Sequence, residues 1–493
     1  MKNMLTHTKI ICTLGPKTSS KEKIEELTDA GMNVARLNFS HGTHEEHARI
    51  IRLLKEVRQE KDIPLAIMLD NKGPEVRLGK IEDNGFFVKK GQRIFLIDDE
   101  DHIGTKEAVA LKPKELFSVL EKGAELLMDD GYISAVVTDI VSASKVEIEF
   151  TNDGFLGSSK SVSVSNVEVP LPFLTEVDFN DIRFGCEQGI DVIAASFVRY
   201  AEDILELRKF LNDCGKGYLP IIAKIENRLG VKNFNKIADV SEGIMIARGD
   251  LGIELPVVQV PRLQKMMADV SRKKGKICIT ATQMLESMIN NPLPTRAEVS
   301  DIANAIYDGT SAVMLSGETA SGNYPIEAVK IMKAVIIDTE ISLTHQDFFD
   351  TDVVDFGLPL SPALAALGPS CMRIAKAGQA KAIIVYTTEG VSPVFLSKYR
   401  PEIPIIAVTS KDSVYRGLAL CWGVFPMLSK SSDRAIWRKE ACEYALEKGL
   451  LNLYDEILVL SRSASSEGTN TVAITAVMDI LGKKIPQQLD ERA

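Results

Sequence analysis

Short apolar runs alternate with stretches of helical period eight times along roughly the first two thirds of the chain, and one interruption splits the series after its third step. Runs at 9–13, 33–37, 64–69, 191–197, 276–280 and 311–315, with two more inside 221–254, read as strands. Segments at 44–60, 177–188, 261–274, 296–307 and 325–341, a helix ending before Gly31 and another ending near 212 read as helices between them. Leu229, Val231, Phe234 and Ile237 add one more at helical spacing. A strand, a helix and a second strand in series place the two strands parallel and adjacent, and eight such steps close a (β/α)8 TIM barrel.

Within the interruption, residues 73–170, the helical period vanishes. Short alternating segments such as FFVKK, RIFLID and KVEIEF stand between Gly, Asp and Asn turns, which predicts a small antiparallel, β-barrel-like lid domain inserted into the barrel. After an acidic, irregular stretch at 347–362 a further strand and helix alternation predicts a C-terminal open α/β domain. The expected division is 1–72 with 171–345 for the barrel, 73–170 for the lid and 346–493 for the C-terminal domain.

At 493 residues, 45% apolar and 26% charged, the chain has the material for several cores. Its formal net charge of −10 argues against nucleic acid or an anionic membrane surface as partner and favours a small molecule. Seven scattered cysteines without a Cys-x-x-Cys pair read as reduced thiols of a cytoplasmic protein, and neither a signal segment nor a membrane-length apolar run is expected.

Barrels of this kind gather their chemistry at the C-terminal strand ends. Here those ends carry Arg36, Asn38, Ser40 and His41, then Asp70, Lys72 and Arg77, then Ser196, Phe197 and Arg199. Lys224, Glu226, Asp250, Thr282, Gln283, Ser316 and Glu318 follow on the remaining strands. Glu226 and Asp250 end neighbouring strands, and two carboxylates brought together there repel unless a cation sits between them; all-oxygen ligands suit Mg2+ or Mn2+. With Arg36, Arg77 and Lys224 nearby, the combination points to phosphoryl chemistry, in which metal and cations offset negative charge. Arg248 to Gly252 can open a short helix whose free N–H groups receive an anion, although Gly-Asp-Leu-Gly is also a common turn. Lys224 with Glu226 has a second reading as a surface ion pair, and His41, His44 and His47, at helical spacing, read as exposed residues at a helix entrance rather than a zinc site.

The segments ARLNFSHG (35–42), LDNKGPEVRLG (69–79), ASFVR (195–199), AKIEN (223–227), MIARGDLGIE (245–254), ATQMLESM (281–288), PTRAEVSDIANAIYDG (294–309) and MLSGETASGNYP (314–325) stand in this order. In this the chain resembles the pyruvate kinase family over essentially its whole length. The resemblance implies transfer of the phosphoryl group of phosphoenolpyruvate to ADP, giving pyruvate and ATP in the last step of glycolysis. It also implies Mg2+ (or Mn2+) and K+ as cofactors and a homotetramer. By resemblance, Glu226 and Asp250 hold the divalent metal, Lys224 contacts the transferring phosphoryl group with Arg36 in support, and the amides of Gly249 and Asp250 with Thr282 fix the substrate carboxylate. Asn38, Ser40, Asp70 and the carbonyl of Asn71 resemble the monovalent-cation site. Arg77, His41 and Lys160 resemble nucleotide contacts, and Thr282, Ser316 and Glu318 lie where the family hands a proton to the enolate. The loop with Thr387, Thr388, Gly390 and Ser392 resembles one that takes a sugar-phosphate or nucleotide effector. Glu389 in that loop opposes a phosphate, and an unregulated loop is the competing reading.

Two other functions compete: another Mg2+-dependent barrel enzyme handling phosphoenolpyruvate or pyruvate, which would not need the lid, and a catalytically dead scaffold subunit. Loss of Lys224, Glu226 or Asp250 would mark the scaffold, and none is lost. Asn71 departs from the usual Thr, and residues 161–166 lack the usual Asn-Leu-Pro-Gly, which bears on Lys160. Glu75 is the residue type that accompanies potassium dependence in the family. Activity measured with Mg2+ in buffer free of Na+ and K+ should therefore rise when K+ is added; equal activity without it would refute the expectation.

Overall fold

The computed structural model describes residues 6–164, 170–343, 362–461 and 469–483. The acidic segment at 347–361 and the end of the last lid segment, at 165–169, lie outside the described residues. Eight strands, β1 (Lys9–Thr13), β2 (Val34–Asn38), β3 (Ala66–Asp70), β4 (Val192–Ala195), β5 (Ile221–Ile225), β6 (Gly243–Ala247), β7 (Ile277–Ala281) and β8 (Ala312–Leu315), close into one barrel in chain order, with β8 paired back on β1. All eight pairings are parallel.

Their uninterrupted apolar sequences follow from burial on both faces. Val34, Met68, Ala194, Ile222 and Met245 turn into the barrel lumen, while Ala35, Ile67, Ile193 and Ile244 pack against the helical layer. Because side chains alternate with period two, the lumen face continues along the strands into Arg36, Asp70, Ser196 and Lys224. The polar strand ends are the upper rim of the barrel interior.

Local signals set the helix limits. Thr43 with Glu46 and Thr295 with Glu298 form reciprocal capping boxes that start His44–Glu60 and Arg296–Tyr307. Between β5 and β6 one helix was expected, and the chain instead forms two, Arg228–Lys232 and Phe234–Val240. They part at Asn233, whose side-chain amide donates to the Arg199 carbonyl (2.9 Å).

The lid has its own core, with Leu96, Leu126, Ile148 and Phe150 among its buried members. Its seven-stranded sheet runs Val162–Val164, Glu125–Met128, Ile133–Ser142, Lys145–Phe150, Arg93–Ile97, Ala108–Lys112, Arg77–Leu78, beside a ribbon of Gly85–Val88 and Gly154–Gly157. The sheet is not purely antiparallel as expected: Arg93–Ile97 and Ala108–Lys112 pair in parallel, because residues 98–107 carry the chain back before the second strand begins.

The C-terminal sheet orders β11 (Val424–Leu428), β10 (Ile405–Thr409), β9 (Ile383–Tyr386), β12 (Glu456–Ser461) and β13 (Thr471–Ala476), parallel except for the last. β11 is additional to the expected order, in which a helix alone stands between the strands near 408 and 456; it carries Pro426 at the sheet edge, where a missing N–H is tolerated. This domain meets the barrel away from the strand C-termini: Lys9 Nζ donates to the Val424 carbonyl (2.8 Å) and Gly423 N–H to that of His7 (2.9 Å).

One buried carboxylate ties both passages between barrel and lid. Asp178, near the start of helix Glu176–Gln188, accepts from Asn71 Nδ2 and Gly73 N–H (each 2.8 Å) where the chain leaves the barrel. Its other oxygen accepts from Thr175 N–H (2.9 Å) and Thr175 Oγ1 (2.6 Å) where the chain returns. Gly73 has φ +71°, and a Cβ there would stand 2.8 Å from the Phe197 ring, so no other residue fits so close to β4. Asp178→Ala leaves two buried and two partly buried donors without their acceptor and should lower the unfolding free energy by on the order of 2–4 kcal/mol. Denaturant titration measures this, and hydrogen exchange should quicken first at residues 71–73 and 175.

Candidate active site

Asp70 occupies the centre of the upper rim with no exposed surface. Arg36 Nε donates to its Oδ2 (2.6 Å) and Lys224 Nζ to its Oδ1 (3.0 Å). Lys224 also donates to Ser196 Oγ (2.7 Å) and lies 3.0 Å from Glu226 Oε1, while Arg36 Nη1 reaches Thr13 Oγ1 (2.8 Å). Burial alone would push the Asp70 carboxyl up, but Arg36 and then Lys224 outweigh it and hold the group below its usual 3.8. Burial pulls the Lys224 ammonium down, and the carboxylates of Asp70, Glu226 and Asp250 more than reverse that. The pair Lys224 and Glu226 is buried, which rules out the surface ion-pair reading.

Glu226 receives the Phe197 N–H on Oε2 (2.6 Å), and Phe197 itself sits at φ +56°. Burial pushes both Glu226 and Asp250 up, and at Glu226 the neighbouring Asp250 adds to the rise against the pull of Lys224. Two neighbouring acids that burial makes harder to ionise, offering only oxygen donors, fit a hard divalent cation, whose charge would offset their repulsion. No group of three or more His, Cys, Asp or Glu suited to a metal occurs among the described residues. Both acids line a cavity of about 440 Å3 between barrel and lid, whose lid wall includes Asp130 and Ser163.

Gly249 and Asp250 open a short helix, Arg248–Glu254, and Gly249 N–H is held by Thr282 Oγ1 (2.9 Å). Thr282 and Gln283 stand at φ +65° and +53°. Ser316 Oγ is buried and has no hydrogen-bond partner, whereas both oxygens of Glu318 accept backbone N–H groups, from Leu285 (3.0 Å) and Ser316 (2.7 Å).

The remaining predicted residues divide. Asn38 pairs with Asp70 across β2 and β3, its Oδ1 accepting from Ser40 N–H (3.1 Å). The Asn71 side chain is taken up by Asp178 and by Ser196 N–H (2.9 Å), and its carbonyl accepts from Ser196 Oγ (2.7 Å). Arg77 is bound in a fork to Glu75 (2.7 and 2.9 Å) and reaches the Ser159 carbonyl, and Lys160 pairs with Asp129 (2.7 Å). His41 is exposed, but His47 is buried, stacked on Phe39 with Nε2 on the His41 carbonyl, and His44 stacks on Phe184 and meets Asp181 (2.6 Å). The expectation of three exposed histidines fails because these rings fill the seam between neighbouring helices. In the C-terminal domain Thr387 Oγ1 accepts from Gly390 N–H (2.9 Å), Ser392 meets Thr469 (3.0 Å), Thr388 is exposed and Glu389 pairs with Lys411.

A family model described as "Pyruvate kinase, barrel domain" matches residues 5–329, and one described as "Pyruvate kinase, alpha/beta domain" matches 365–475. The chain belongs to the pyruvate kinase family. A pyruvate kinase of Chlamydia pneumoniae is 59% identical over 98% of this chain and 100% of its own length. One of Geobacillus stearothermophilus is 42% identical over 97% of this chain and 82% of its own. The crystal structure of a pyruvate kinase from Cryptosporidium parvum superposes with a TM-score of 0.89 at 34% identity, covering 96% of each chain. As a pyruvate kinase the chain is a phosphotransferase that converts phosphoenolpyruvate and ADP to pyruvate and ATP, in a family that uses Mg2+ and K+.

Thr13 and Asp178 had no place in the sequence reading, and Ser196 was noted at its strand end without a partner. The usable signal was parity: Thr13 and Ser196 each lie two residues beyond a lumen-facing position, Ile11 and Ala194. Asp70→Asn leaves two buried cations short of a charge and should cost about 3–5 kcal/mol. Since the Asp70 carboxyl is held below its unfolded value near 3.8, its contribution is full above that pH and lost as pH falls through the folded value. The stability gap between the parent and Asp70→Asn should therefore be constant near neutrality and shrink below about pH 4 in acid-range denaturant titrations.

Proposed function

We propose that the rim residues divide the work of this reaction as follows. Lys224 faces the transferring phosphoryl group and, with Arg36, stabilises its charge. The observation that carries this reading is the Lys224 ammonium, buried within 3.0 Å of Asp70 and Glu226 and beside a third, half-buried acid, Asp250. Its position is fixed by three neighbours before any substrate arrives, which is what electrostatic stabilisation requires. Glu226 and Asp250 hold Mg2+ (or Mn2+). That ion, when bound, offsets charge on the phosphoryl group and on the enolate oxygen left behind.

Thr282 and the amides of Gly249 and Asp250 receive the substrate carboxylate, with the Thr282 hydroxyl turning from its present partners, the Ala281 carbonyl (2.7 Å) and the Gly249 N–H (2.9 Å), toward the anion. Ser316 hands a proton to the enolate carbon in preference to Glu318. Its hydroxyl is buried without a partner, whereas Glu318 is occupied in joining the β7 and β8 loops. Asn38, Ser40, Asp70 and the Asn71 carbonyl surround K+. Arg77, His41 and Lys160 contact the nucleotide, and the lid excludes water so that ADP is the acceptor.

In the division 1–72 with 171–345, 73–170 and 346–493, the limits of the lid fit the two passages that Asp178 holds together. A homotetramer fits the exposure of Val257 (70%) and Val258 (82%), apolar surface suited to a second copy. A sugar-phosphate or nucleotide effector at Thr387, Thr388, Gly390 and Ser392 fits a loop where Lys411 offsets Glu389. A cytoplasmic location fits a glycolytic enzyme whose seven cysteines are all free, and no described helix is long and apolar enough to cross a membrane.

Lys224→Met should lower kcat by at least ~10²–10³-fold in a coupled pyruvate assay with Mg2+, while Mn2+ still binds as read by paramagnetic relaxation of water. Retention of more than a tenth of parental kcat would sink the assignment.

A further inference from the structure

Three successive carbonyl groups at the end of β7 converge on one guanidinium. Arg248 Nε donates to Ala281 O (3.3 Å), and Nη2 donates to Thr282 O (2.6 Å) and Gln283 O (3.3 Å). Its third nitrogen, Nη1, is held between the two oxygens of Asp301 at 2.8 and 2.7 Å. Asp301 belongs to helix Arg296–Tyr307, which follows β7, and lies outside the lining of the lid cavity. It contacts none of the residues placed above on substrate, metal or nucleotide.

The clasped segment is unusual. Thr282 and Gln283 both adopt left-handed backbone conformations, which are strained and least tolerated by a β-branched residue such as Thr. A turn of this kind persists only where its surroundings determine it. The guanidinium does so by gathering the carbonyl oxygens, charge-assisted bonds that a relaxed turn would lose. In this conformation Thr282 Oγ1 stands 2.9 Å from Gly249 N, accepting its hydrogen bond and joining the β6 and β7 ends into one surface.

We propose that Asp301 is a positioning residue for phosphoenolpyruvate. It fixes the Arg248 guanidinium, which holds the 281–283 turn so that Thr282 Oγ1 and the Gly249 amide are presented together to the substrate carboxylate. The inference rests on the reading of Thr282 as a carboxylate contact. The carboxylate of Asp301, with Gln264 Oε1 (3.3 Å) on the same nitrogen, anchors Nη1 so that Nε and Nη2 face the three carbonyls. ADP binds on the lid side and is not touched by this clasp.

The test is a double-mutant cycle on the full-length enzyme with saturating Mg2+ and K+, using Asp301→Asn, which preserves shape, with Thr282→Ala. Asp301→Asn should raise KM for phosphoenolpyruvate about 5–10-fold with KM for ADP unchanged and kcat within about twofold, and Asp301→Glu should recover part of the loss. In the Thr282→Ala background the effect of Asp301→Asn on kcat/KM for phosphoenolpyruvate should shrink to less than about twofold, because the two residues act through one contact. An equal loss in both backgrounds, or a parallel rise in KM for ADP, would overturn the proposal and leave the reading of Thr282 standing. Thr282→Ala with an unchanged KM for phosphoenolpyruvate would remove that reading and the proposal with it. Thermal melts of each variant separate these outcomes from loss of fold, and Asp301→Glu carries the test if Asp301→Asn melts below the assay temperature.

Discussion

A single carboxylate shared by two cations organises the upper end of the barrel. Asp70 is inaccessible to water, and neither Arg36 nor Lys224 would be stable at that depth without it. The sharing also has a chemical consequence. Lys224 is shared among Asp70, Ser196 and Glu226 and Arg36 between Asp70 and Thr13, so both charges are oriented and desolvated in advance. Glu226 and Asp250 complete the balance. Alone they are a repelling pair that burial keeps reluctant to ionise; a divalent ion held by them, as proposed, would turn the region net positive, which would suit a phosphorylated, carboxylated substrate.

The closed barrel makes this assembly possible at low conformational cost. Thr13, Arg36, Asp70, Ser196 and Lys224 come from five different strands, yet they meet because each is the next lumen-facing position after an apolar one. The polar cluster is the apolar interior of the barrel continued upward with a change of residue type. No loop has to find its place for the cations to be correctly set. Loops contribute instead where geometry has to be unusual, at Phe197, Thr282 and Gln283, all left-handed and all at strand ends.

The legible part of the sequence was whatever repeats. Strand and helix alternation, burial on both strand faces and the delivery of polar residues to one end are periodic, and they led to the barrel, the lid and the Lys224, Glu226 and Asp250 group. What escaped was set by single contacts. Asn233 interrupts a helix because its amide finds the Arg199 carbonyl, which no spacing announces. Pro426 sits in a strand because that strand is an edge, a property of the finished sheet. His47 is buried against Phe39 although its neighbours on the helix are solvated. Asp178 looked like any acid in a first helical turn, where it also caps; its reach back to Asn71 and Gly73 depends on a return of the chain about a hundred residues later.

That return has an implication for how such an enzyme is put together. Gly73 and Thr175 are bonded to the two oxygens of one carboxylate, so the chain leaves the barrel and re-enters it within the width of a single side chain. To the barrel, the whole lid is equivalent to a tight turn between β3 and the next helix. Loop closure then depends only weakly on what lies between the two anchor points, since the entropy of joining them grows with the logarithm of the enclosed length. A lid attached in this way can be shortened, lengthened or exchanged without altering the strand register beneath it. The catalytic floor and the cover over it are thus separately adjustable parts of one polypeptide.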